Sequence, residues 1–183
     1  MKVNELPTQE YLVECFKYNP ETGLLTWNER PLYHFKTNKI AKWWNSRYPN
    51  KNVGNYRKDG YKRTSIEYNE YLLHRLIWKL YYGEDPSEFI DHINGIRDDN
   101  RICNLREANY VENGRNQNKL FKHNTSGYTG VVFDKSKDRW LARIQILGET
   151  INIGSFKTME EAVEARKERA KQEFGEFYND FND

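Results

Sequence analysis

Short apolar stretches with helical or alternating spacing follow one another along the first half of the chain. Tyr11, Leu12, Cys15 and Phe16 recur at helical spacing after a Pro-Thr start, and Leu24–Trp27 is typical of a strand. The pattern therefore predicts a helix, a turn and a strand in the N-terminal segment.

A second group of elements is predicted between residues 60 and 83. Alternating side chains indicate a hairpin with its turn at Asn69-Glu70. From Leu73 to Tyr81, apolar residues recur at the spacing of one helix face, and Gly83 follows as a stop signal. We expect an amphipathic helix that packs against the next hairpin.

Three strands and one helix are predicted in the last third of the chain. The strands cover residues 128–133, 139–145 and 150–156. Thr158 and Glu161 form a capping box at the start of the helix, and Gly175 ends it.

Alternation along these three strands assigns their two faces. The residues expected to face the helix are Trp140, Ala142, Ile144, Ile151 and Ile153. The residues expected to face outward are Thr129, Val132, Asp134, Leu141, Arg143, Gln145, Thr150 and Asn152. Among the outward residues, Arg143, Gln145 and Asn152 have side chains that read base edges in DNA.

Composition limits how these elements build a core. The chain has 183 residues, of which 37% are hydrophobic and 15% aromatic, so we expect small aromatic-rich modules instead of one large core. Cys15 and Cys103 are far apart and provide no disulfide framework or zinc ribbon, which predicts a reducing compartment. No apolar run opens the sequence, so neither a signal peptide nor a membrane span is expected.

The distribution of charge is more informative than the net charge. A net charge of +2 is too small by itself to indicate nucleic acid. From Lys36 to Arg63, however, nine basic residues face a single acidic one, Asp59, whereas the C-terminal segment is rich in Glu. The basic stretch is where we expect a phosphate backbone to lie.

Aromatic residues are interleaved with these cations, notably Trp43, Trp44, Tyr48 and Tyr56. Rings and cations in this mixture stack on bases and pair with phosphates in single-strand binders. The alternative is that Trp43 and Trp44 fill a small core. Both interpretations stay open for the rings, whereas the cations are assigned to DNA. His34, just before this stretch, is expected to be an incidental surface residue.

The densest group of polar functional side chains lies between Asp91 and Asn116, in the sequence DHINGIRDDNRICNLREANYVENGRN. A strand over 88–90 leads into it, and Asn94-Gly95 predicts a tight turn. The return strand is predicted over 102–106. Asn109 with Glu112 then predicts a capping box for a helix from Tyr110, so the predicted order is strand, strand, helix.

The chemistry of this segment fits phosphodiester cleavage. Asp91 and His92 project from opposite faces of a strand. In-line cleavage uses such a separation, because a metal lies beside the phosphate and leaving oxygen while a base activates water from the other side. Asp91 suits the metal, and His92, with an ordinary pKa of about 6.5, suits the water. Asn113 would complete the metal site, whose oxygen donors favour Mg²⁺ or Mn²⁺ over zinc.

These residues resemble the HNH nucleases of the phage and intron-encoded homing type. The matching runs are residues 91–95, 99–101 and 104–106, together with Asn113. The resemblance implies a ββα-metal fold with Asp91 and Asn113 as metal ligands and His92 as general base. It also implies that Asn100 braces the hairpin loop through side-chain to backbone hydrogen bonds, with Asn104 as a second structural residue of the active site. The alternatives are a solvated turn or a folded but inactive site.

Residues beside this segment complete the predicted site. A His-Arg-Leu run at His74 also matches the HNH family. His74 either orients a catalytic group or caps its helix, and Arg75 is expected to reach a phosphate. After the core, a basic linker is expected to lie on DNA, with Arg115, Lys119 and Lys122 as its phosphate contacts.

The C-terminal elements resemble the ethylene-response-factor type of DNA-binding domain. The resemblance covers residues 126–176 and rests on Gly130-Val131, Trp140–Ile144, Ile153–Phe156 and the Thr158 capping box. It implies a three-stranded sheet that lies in the major groove, in a domain type that occurs fused to HNH nucleases. Val132 and Asp134 depart from the outward face of plant members, which is rich in Arg and Trp.

Together these features predict an α+β protein of four segments. They are an N-terminal aromatic and basic module (1–58), a ββα-metal HNH core (59–118), a basic linker (119–125) and a three-stranded antiparallel sheet packed on one helix (126–183). The predicted function is a site-specific, metal-dependent DNA endonuclease of the homing type that nicks double-stranded DNA. It is expected to act as a monomer or weak dimer, without a membrane, in the cytoplasm, which is that of the host cell if a phage encodes it. The alternatives are a non-catalytic sequence-specific DNA-binding regulator and a nuclease without site preference.

Overall fold

The computed structural model describes residues 5–109, 124, 126–146, 148–175 and 178. The chain divides into two compact units, Met1–Ala108 and Asn109–Asp183. Both units combine helices with small antiparallel sheets, which confirms the predicted α+β class. Among the described helices, none is both long enough and apolar enough to cross a membrane.

The N-terminal unit begins with a short helix and a hairpin. Helix α1, Gln9–Cys15, starts at Thr8, whose side chain accepts a hydrogen bond from the Tyr11 amide. The predicted helix is therefore confirmed, but Phe16 already belongs to strand β1, Phe16–Asn19. Strand β2, Leu24–Trp27, pairs antiparallel with β1, as the alternating pattern of these residues predicts.

A three-stranded sheet follows helix α2, Asn38–Asn45. Its strands are β3, Asn55–Tyr56, β4, Lys62–Ile66, and β5, Asn69–Leu72, in the order β3-β4-β5. The predicted turn at Asn69-Glu70 is wrong by two residues, because Asn69 pairs with Ile66 and the turn is formed by Glu67 and Tyr68. Both turn residues have positive φ angles, 48° and 68°, a conformation for which neither side chain has an intrinsic preference.

The predicted amphipathic helix and the hairpin after it are present. Helix α3, Leu73–Tyr82, ends at Gly83. Strand β6, Phe89–His92, pairs antiparallel with β7, Leu105–Ala108. The return strand starts three residues later than predicted, since a 3₁₀ turn occupies Ile102–Asn104. The helix predicted from Tyr110 lies outside the described residues.

One hydrophobic core holds the N-terminal unit together. It joins α1, β2 and α3 to the β6-β7 hairpin through buried side chains that include Leu12, Leu25, Leu76, Ile77 and Ile90. The core therefore contains residues from both sides of the predicted boundary at residue 58. The elements that carry the candidate site and the N-terminal hairpin are packed into the same interior.

The C-terminal unit has the predicted three strands and one helix. Its strands are β8, Val131–Asp134, β9, Arg139–Ile146, and β10, Glu149–Phe156, with β9 in the centre. Helix α4, Met159–Phe174, packs on the sheet through Ala162, Val163 and Ala170. Ile151 was expected to face the helix but is 37% exposed, so the helix does not cover this residue of the edge strand β10 completely. The same strand has a register shift between Asn152 and Gly154.

Candidate active site

The β6-β7 hairpin carries the predicted catalytic pair at its buried end. Asp91 lies opposite Arg106 and His92 lies opposite Leu105 in the antiparallel register. Only 6% of Asp91 and 3% of His92 is exposed, although both residues are polar. Burial of polar side chains is unfavourable unless hydrogen bonds replace those to water, so the partners of these two residues define the site.

The imidazole of His92 is held in one tautomer by Asn100. Its Nε2 lies 3.1 Å from Oδ1 of Asn100. Since an amide oxygen only accepts hydrogen bonds, Nε2 carries the hydrogen, and in the neutral ring Nδ1 carries the lone pair. Burial lowers the pKa of His92 below its ordinary value of 6.5, an effect that the bond to Asn100 partly opposes. The ring is therefore neutral at pH 7 and able to accept a proton.

His74 and Tyr61 enclose the His92 ring. The rings of His74 and His92 meet edge to face, with centroids 5.2 Å apart and an interplanar angle of 89°. Tyr61 lies against both rings, with centroids 5.3 Å from His74 and 5.8 Å from His92. Burial lowers the pKa of His74 well below 6.5, so this ring is neutral too. The N-cap of α3 is Leu72, and His74 lies inside the helix with its ring against His92.

Arg106 is a site residue to which the sequence analysis assigned no role. Its Nε and Nη2 donate to Oδ2 of Asp91 over 3.0 Å and 2.8 Å. Opposite charges that face each other across an antiparallel pair stabilise the sheet, and here both side chains are largely buried. The sequence does show a basic residue in the strand predicted to return beside Asp91. Its pairing with Asp91 could not be predicted, because that pairing depends on the register of the hairpin.

The loop between the two strands is braced by Asn104. Its Oδ1 accepts from the Asn94 amide over 2.9 Å, and its Nδ2 donates to the Asp99 carbonyl over 2.7 Å. The turn expected at Asn94-Gly95 is present, with Gly95 at a φ of 70°. The structure differs from the expectation for Asn100, because the side-chain to backbone bonds expected of Asn100 are made by Asn104.

The β1-β2 hairpin, which lies near the start of the N-terminal unit in sequence, also contacts this loop. The Tyr18 hydroxyl donates to the Asn100 carbonyl over 2.8 Å. Gly23 approaches so closely that an added Cβ would lie 2.5 Å from the Arg101 amide nitrogen. The N-terminal hairpin therefore fixes the backbone of the residue that orients His92, a role that sequence reasoning did not find.

The acidic loop residues are bound to neighbouring side chains. Arg101, together with Asn94, holds the pKa of Asp99 at about 2. The Tyr56 hydroxyl donates to Oδ2 of Asp98 over 2.7 Å. Both carboxylates are therefore bound to side chains of the same unit.

Asp91 is the one predicted metal ligand among the described residues, and its carboxylate is a type of donor that suits a hard divalent cation. Within the ranges described above, no group of three or more His, Cys, Asp or Glu residues is arranged to hold a metal ion. Asp91 contributes carboxylate oxygens in a buried position, which are the donors that Mg²⁺ and Mn²⁺ prefer. The second predicted ligand, Asn113, lies outside the described residues.

The predicted DNA contacts fall in several places. Nη1 of Arg75 donates to the carbonyls of Ser87 and Glu88 over 3.2 Å and 3.1 Å, which ties α3 to the chain before β6. On the C-terminal sheet, Arg143 and Asn152 are exposed and lie opposite each other on β9 and β10. Gln145 is also exposed, opposite Thr150. The linker residues Arg115, Lys119 and Lys122 lie outside the described residues.

His34 is not the surface residue that the sequence suggested. Its side chain is almost fully buried, its ring stacks on Tyr11 at 4.4 Å, and its Nε2 lies 2.6 Å from Oε2 of Glu14. The prediction failed because the chain folds His34 back onto α1, which a local pattern does not show.

Comparisons with known proteins agree with the position of this site. The sequence profile of HNH endonucleases matches residues 71–115, which include α3, the β6-β7 hairpin and the loop between its strands. Protein 3.8 of Escherichia phage T7 is 33% identical to this chain over 88 residues, which cover 48% of this chain and 72% of the phage protein. No solved structure shows significant similarity to the chain. The profile ends before the C-terminal sheet, so it gives no support to the resemblance of that sheet to ethylene-response-factor domains.

Proposed function

We propose, since this chain belongs to the HNH endonuclease family, that it is a site-specific, metal-dependent DNA endonuclease of the homing type that nicks double-stranded DNA. The observation that carries the proposal is the environment of His92. A solvated turn has no need of a buried neutral imidazole that one side chain holds in a single tautomer beside a buried carboxylate. A general base needs this arrangement.

Asp91 and Asn113 would hold the metal ion, Mg²⁺ or Mn²⁺, through a carboxylate and an amide oxygen. When bound there, the metal supplies positive charge for the phosphate and for the leaving 3′ oxygen. Arg106 keeps the Asp91 side chain in one orientation through Oδ2. We assign Arg106 the role of a positioning residue.

His92 would act on the water. Its Nδ1 takes a proton from a water molecule as the water oxygen attacks phosphorus, and the bond from phosphorus to the 3′ oxygen breaks on the opposite side. The leaving 3′ oxygen takes a proton from solvent, so the products are a 5′-phosphate and a 3′-hydroxyl. Asn100 keeps the hydrogen on Nε2, while His74 and Tyr61 hold the plane of the ring.

The other predicted residues would bind the DNA around this centre. Arg75, Arg115, Lys119 and Lys122 are proposed phosphate contacts. Arg143, Gln145 and Asn152 are proposed base contacts from the C-terminal sheet, in the manner of the domains it resembles. One active site in each chain predicts one nick for each binding event, unless two chains assemble on the site. If a phage encodes the chain, its substrate lies in the host cytoplasm.

Cleavage of supercoiled plasmid and of genomic DNA from the encoding organism tests the proposal. With Mg²⁺, the wild type should produce discrete nicks, and with EDTA it should produce none. His92→Ala should lower the cleavage rate by about 10²–10⁴-fold, because it removes the base. His92→Gln, which keeps a polar side chain of similar volume but not the base, should be equally slow.

DNA affinity measured in EDTA is the control for these variants. It should be unchanged in both, together with the melting temperature to within a few degrees. A wild type that binds a specific site with the same affinity in Mg²⁺ and EDTA, and leaves both strands intact, would establish the regulator instead of the nuclease.

A further inference from the structure

A groove in the N-terminal unit is lined by aromatic rings and cations. Trp27, Trp44 and Tyr48 form its walls, and Arg30 and Lys51 contribute the charges. Its volume is about 400 Å³, which is in the range of sites for small organic ligands. It shares no lining residue with the candidate active site.

Arg30 is a buried cation without a matching carboxylate. It is only 9% exposed. Its Nε donates to Nδ1 of His34 over 3.2 Å and its Nη2 donates to the Tyr11 hydroxyl over 2.5 Å, so both acceptors are uncharged atoms. Across the described parts of the chain, no Asp or Glu forms an ion pair with this guanidinium. Each acceptor is in turn hydrogen-bonded to a carboxylate, Tyr11 to Oε1 of Glu67 and His34 to Oε2 of Glu14, so Arg30 reaches these charges only through an intervening side chain.

The position of Arg30 is fixed in advance of any ligand. Its backbone amide donates to Oδ1 of Asn45 over 3.1 Å, and its carbonyl accepts from Nδ2 of the same side chain over 2.8 Å. Its guanidinium lies over the rings of Phe35 and Trp44, 5.1 Å and 5.2 Å from their centroids. Little side-chain entropy remains to be lost when an anion binds.

The aromatic walls of the groove pack against one another, which fixes their positions. Trp44 stacks on Tyr48 with centroids 5.0 Å apart, and Trp27 meets Trp44 edge to face at 5.1 Å. None of the residues that line the groove is acidic. Lys51 is exposed at the rim, within the segment of nine basic residues and one acidic residue between Lys36 and Arg63. The charge of the groove therefore complements a phosphate and its rings complement a base.

We propose that this groove binds one unpaired nucleotide of the DNA substrate, with its phosphate at Arg30 and Lys51 and its base against the aromatic walls. The inference rests on the proposed nuclease function for the nature of the ligand. An unpaired nucleotide is favoured over a duplex because bases in a duplex are stacked on both faces and offer none to a ring. The groove then selects or stabilises DNA that is locally opened.

Binding of a labelled oligothymidine to the full chain tests the proposal. A length of about 16 nucleotides is at the upper end of the sites that single-strand binders cover. Fluorescence anisotropy in EDTA should show that Tyr48→Leu weakens binding about 5-fold or more, by loss of stacking, without a change in salt dependence. Lys51→Ala should weaken binding and lower the slope of log affinity against log salt by about 0.7, because one phosphate contact is lost.

Lys17→Ala is the matched control, since Lys17 is exposed on β1 and does not line the groove. It should leave affinity and salt slope unchanged. Photo-cross-linking with 5-iodouracil DNA, followed by peptide mapping, should identify Trp27, Trp44 or Tyr48. Cross-links confined to other residues, or equal losses in Lys17→Ala and Lys51→Ala, would overturn the groove as the site. Equally tight binding of a duplex, with Tyr48→Leu unaffected, would overturn the unpaired nucleotide.

The two proposals fail in different ways in this experiment. If the wild type and all groove variants nick plasmid while single-strand affinity is the same in each, the groove proposal is wrong and the nuclease stands. If the groove variants lose single-strand binding but the wild type cuts no DNA in Mg²⁺, the nuclease is wrong and the groove stands.

Discussion

The two units of this protein differ in how far apart along the chain their contacting residues lie. In the C-terminal unit, β8, β9, β10 and α4 follow one another in sequence, and each packs on an adjacent element. In the N-terminal unit, the loop that carries Asn100 is held by hydrogen bonds with Asp59, Tyr56 and Tyr18, which precede their loop partners by 38, 42 and 82 positions. The first arrangement can be predicted from local pattern, whereas the second depends on how remote segments meet.

The interiors of the two units also differ, in whether the buried side chains are apolar or polar. The helix-facing side of the C-terminal sheet buries apolar side chains such as Val131, Ala142 and Ile144. The candidate site instead buries Asp91, His92 and Asn100 inside a small unit. Each buried polar group depends on a specific partner, so loss of one partner costs more than loss of a surface contact. We therefore expect single substitutions at the site to have larger effects than those on the C-terminal unit.

Arg106→Met should produce the largest change in stability. It removes the guanidinium from the buried carboxylate of Asp91 while it keeps most of the side-chain volume. Breaking a buried ion pair from one side costs about 3–5 kcal/mol of unfolding free energy. Denaturant unfolding in EDTA, monitored by tryptophan fluorescence, measures the change.

The double variant Asp91→Asn, Arg106→Met is the control for this prediction. It should recover most of the lost stability, because no carboxylate then remains to be buried. Equal unfolding free energies for wild type and Arg106→Met would show that the pair contributes nothing to the N-terminal unit and would remove the contrast between the two interiors.

Asn100→Ala should affect catalysis more than stability. Without the amide oxygen the His92 ring loses its fixed tautomer, and we expect the plateau rate to fall by about 10²-fold or more, as when the orienting residue of a catalytic histidine is lost. Single-turnover cleavage in Mg²⁺ measures this fall. The wild type should retain activity below pH 6.5, because burial lowers the pKa of His92 and the base is active when neutral.

The pH profile distinguishes orientation from general damage to the loop. Since the bond to Asn100 raises the pKa of His92, its removal should move the acid limb of the kcat/KM profile to lower pH. Asn104→Ala, which loosens the loop without a contact to the imidazole, should lower the rate and leave the limb in place. A limb that does not move in Asn100→Ala would contradict the proposed role of this residue.

The same contrast explains what the sequence could and could not predict. The capping box at Thr158, the stop at Gly83 and the polar set around Asp91 are local signals, and the structure has each of them in the predicted element. The roles of Tyr18 and Arg106, and the burial of His34, depend on strand register and on segments that meet from far along the chain. The turn at Glu67-Tyr68 was missed because neither residue has the preference for positive φ on which turn prediction relies.

Thr158→Ala should have the smallest of these effects and is the sharpest test of independence between the units. Oγ1 of Thr158 accepts from the Glu161 amide over 3.2 Å, and Oε2 of Glu161 accepts from the Thr158 amide over 3.3 Å. Loss of such a cap costs about 1 kcal/mol, and Thr150→Ala, an exposed threonine without a capping role, should cost less than about 0.5 kcal/mol.

Hydrogen exchange should show the loss in α4 and the strands it covers, with β6 and β7 unchanged. Because the hydrogen bonds of this cap join Thr158 and Glu161 within the C-terminal unit, single-turnover cleavage should keep its rate. A fall in that rate as large as in Asn100→Ala would mean that the locally determined unit also sets the geometry of the catalytic loop, and the division between the two kinds of region would have to be abandoned.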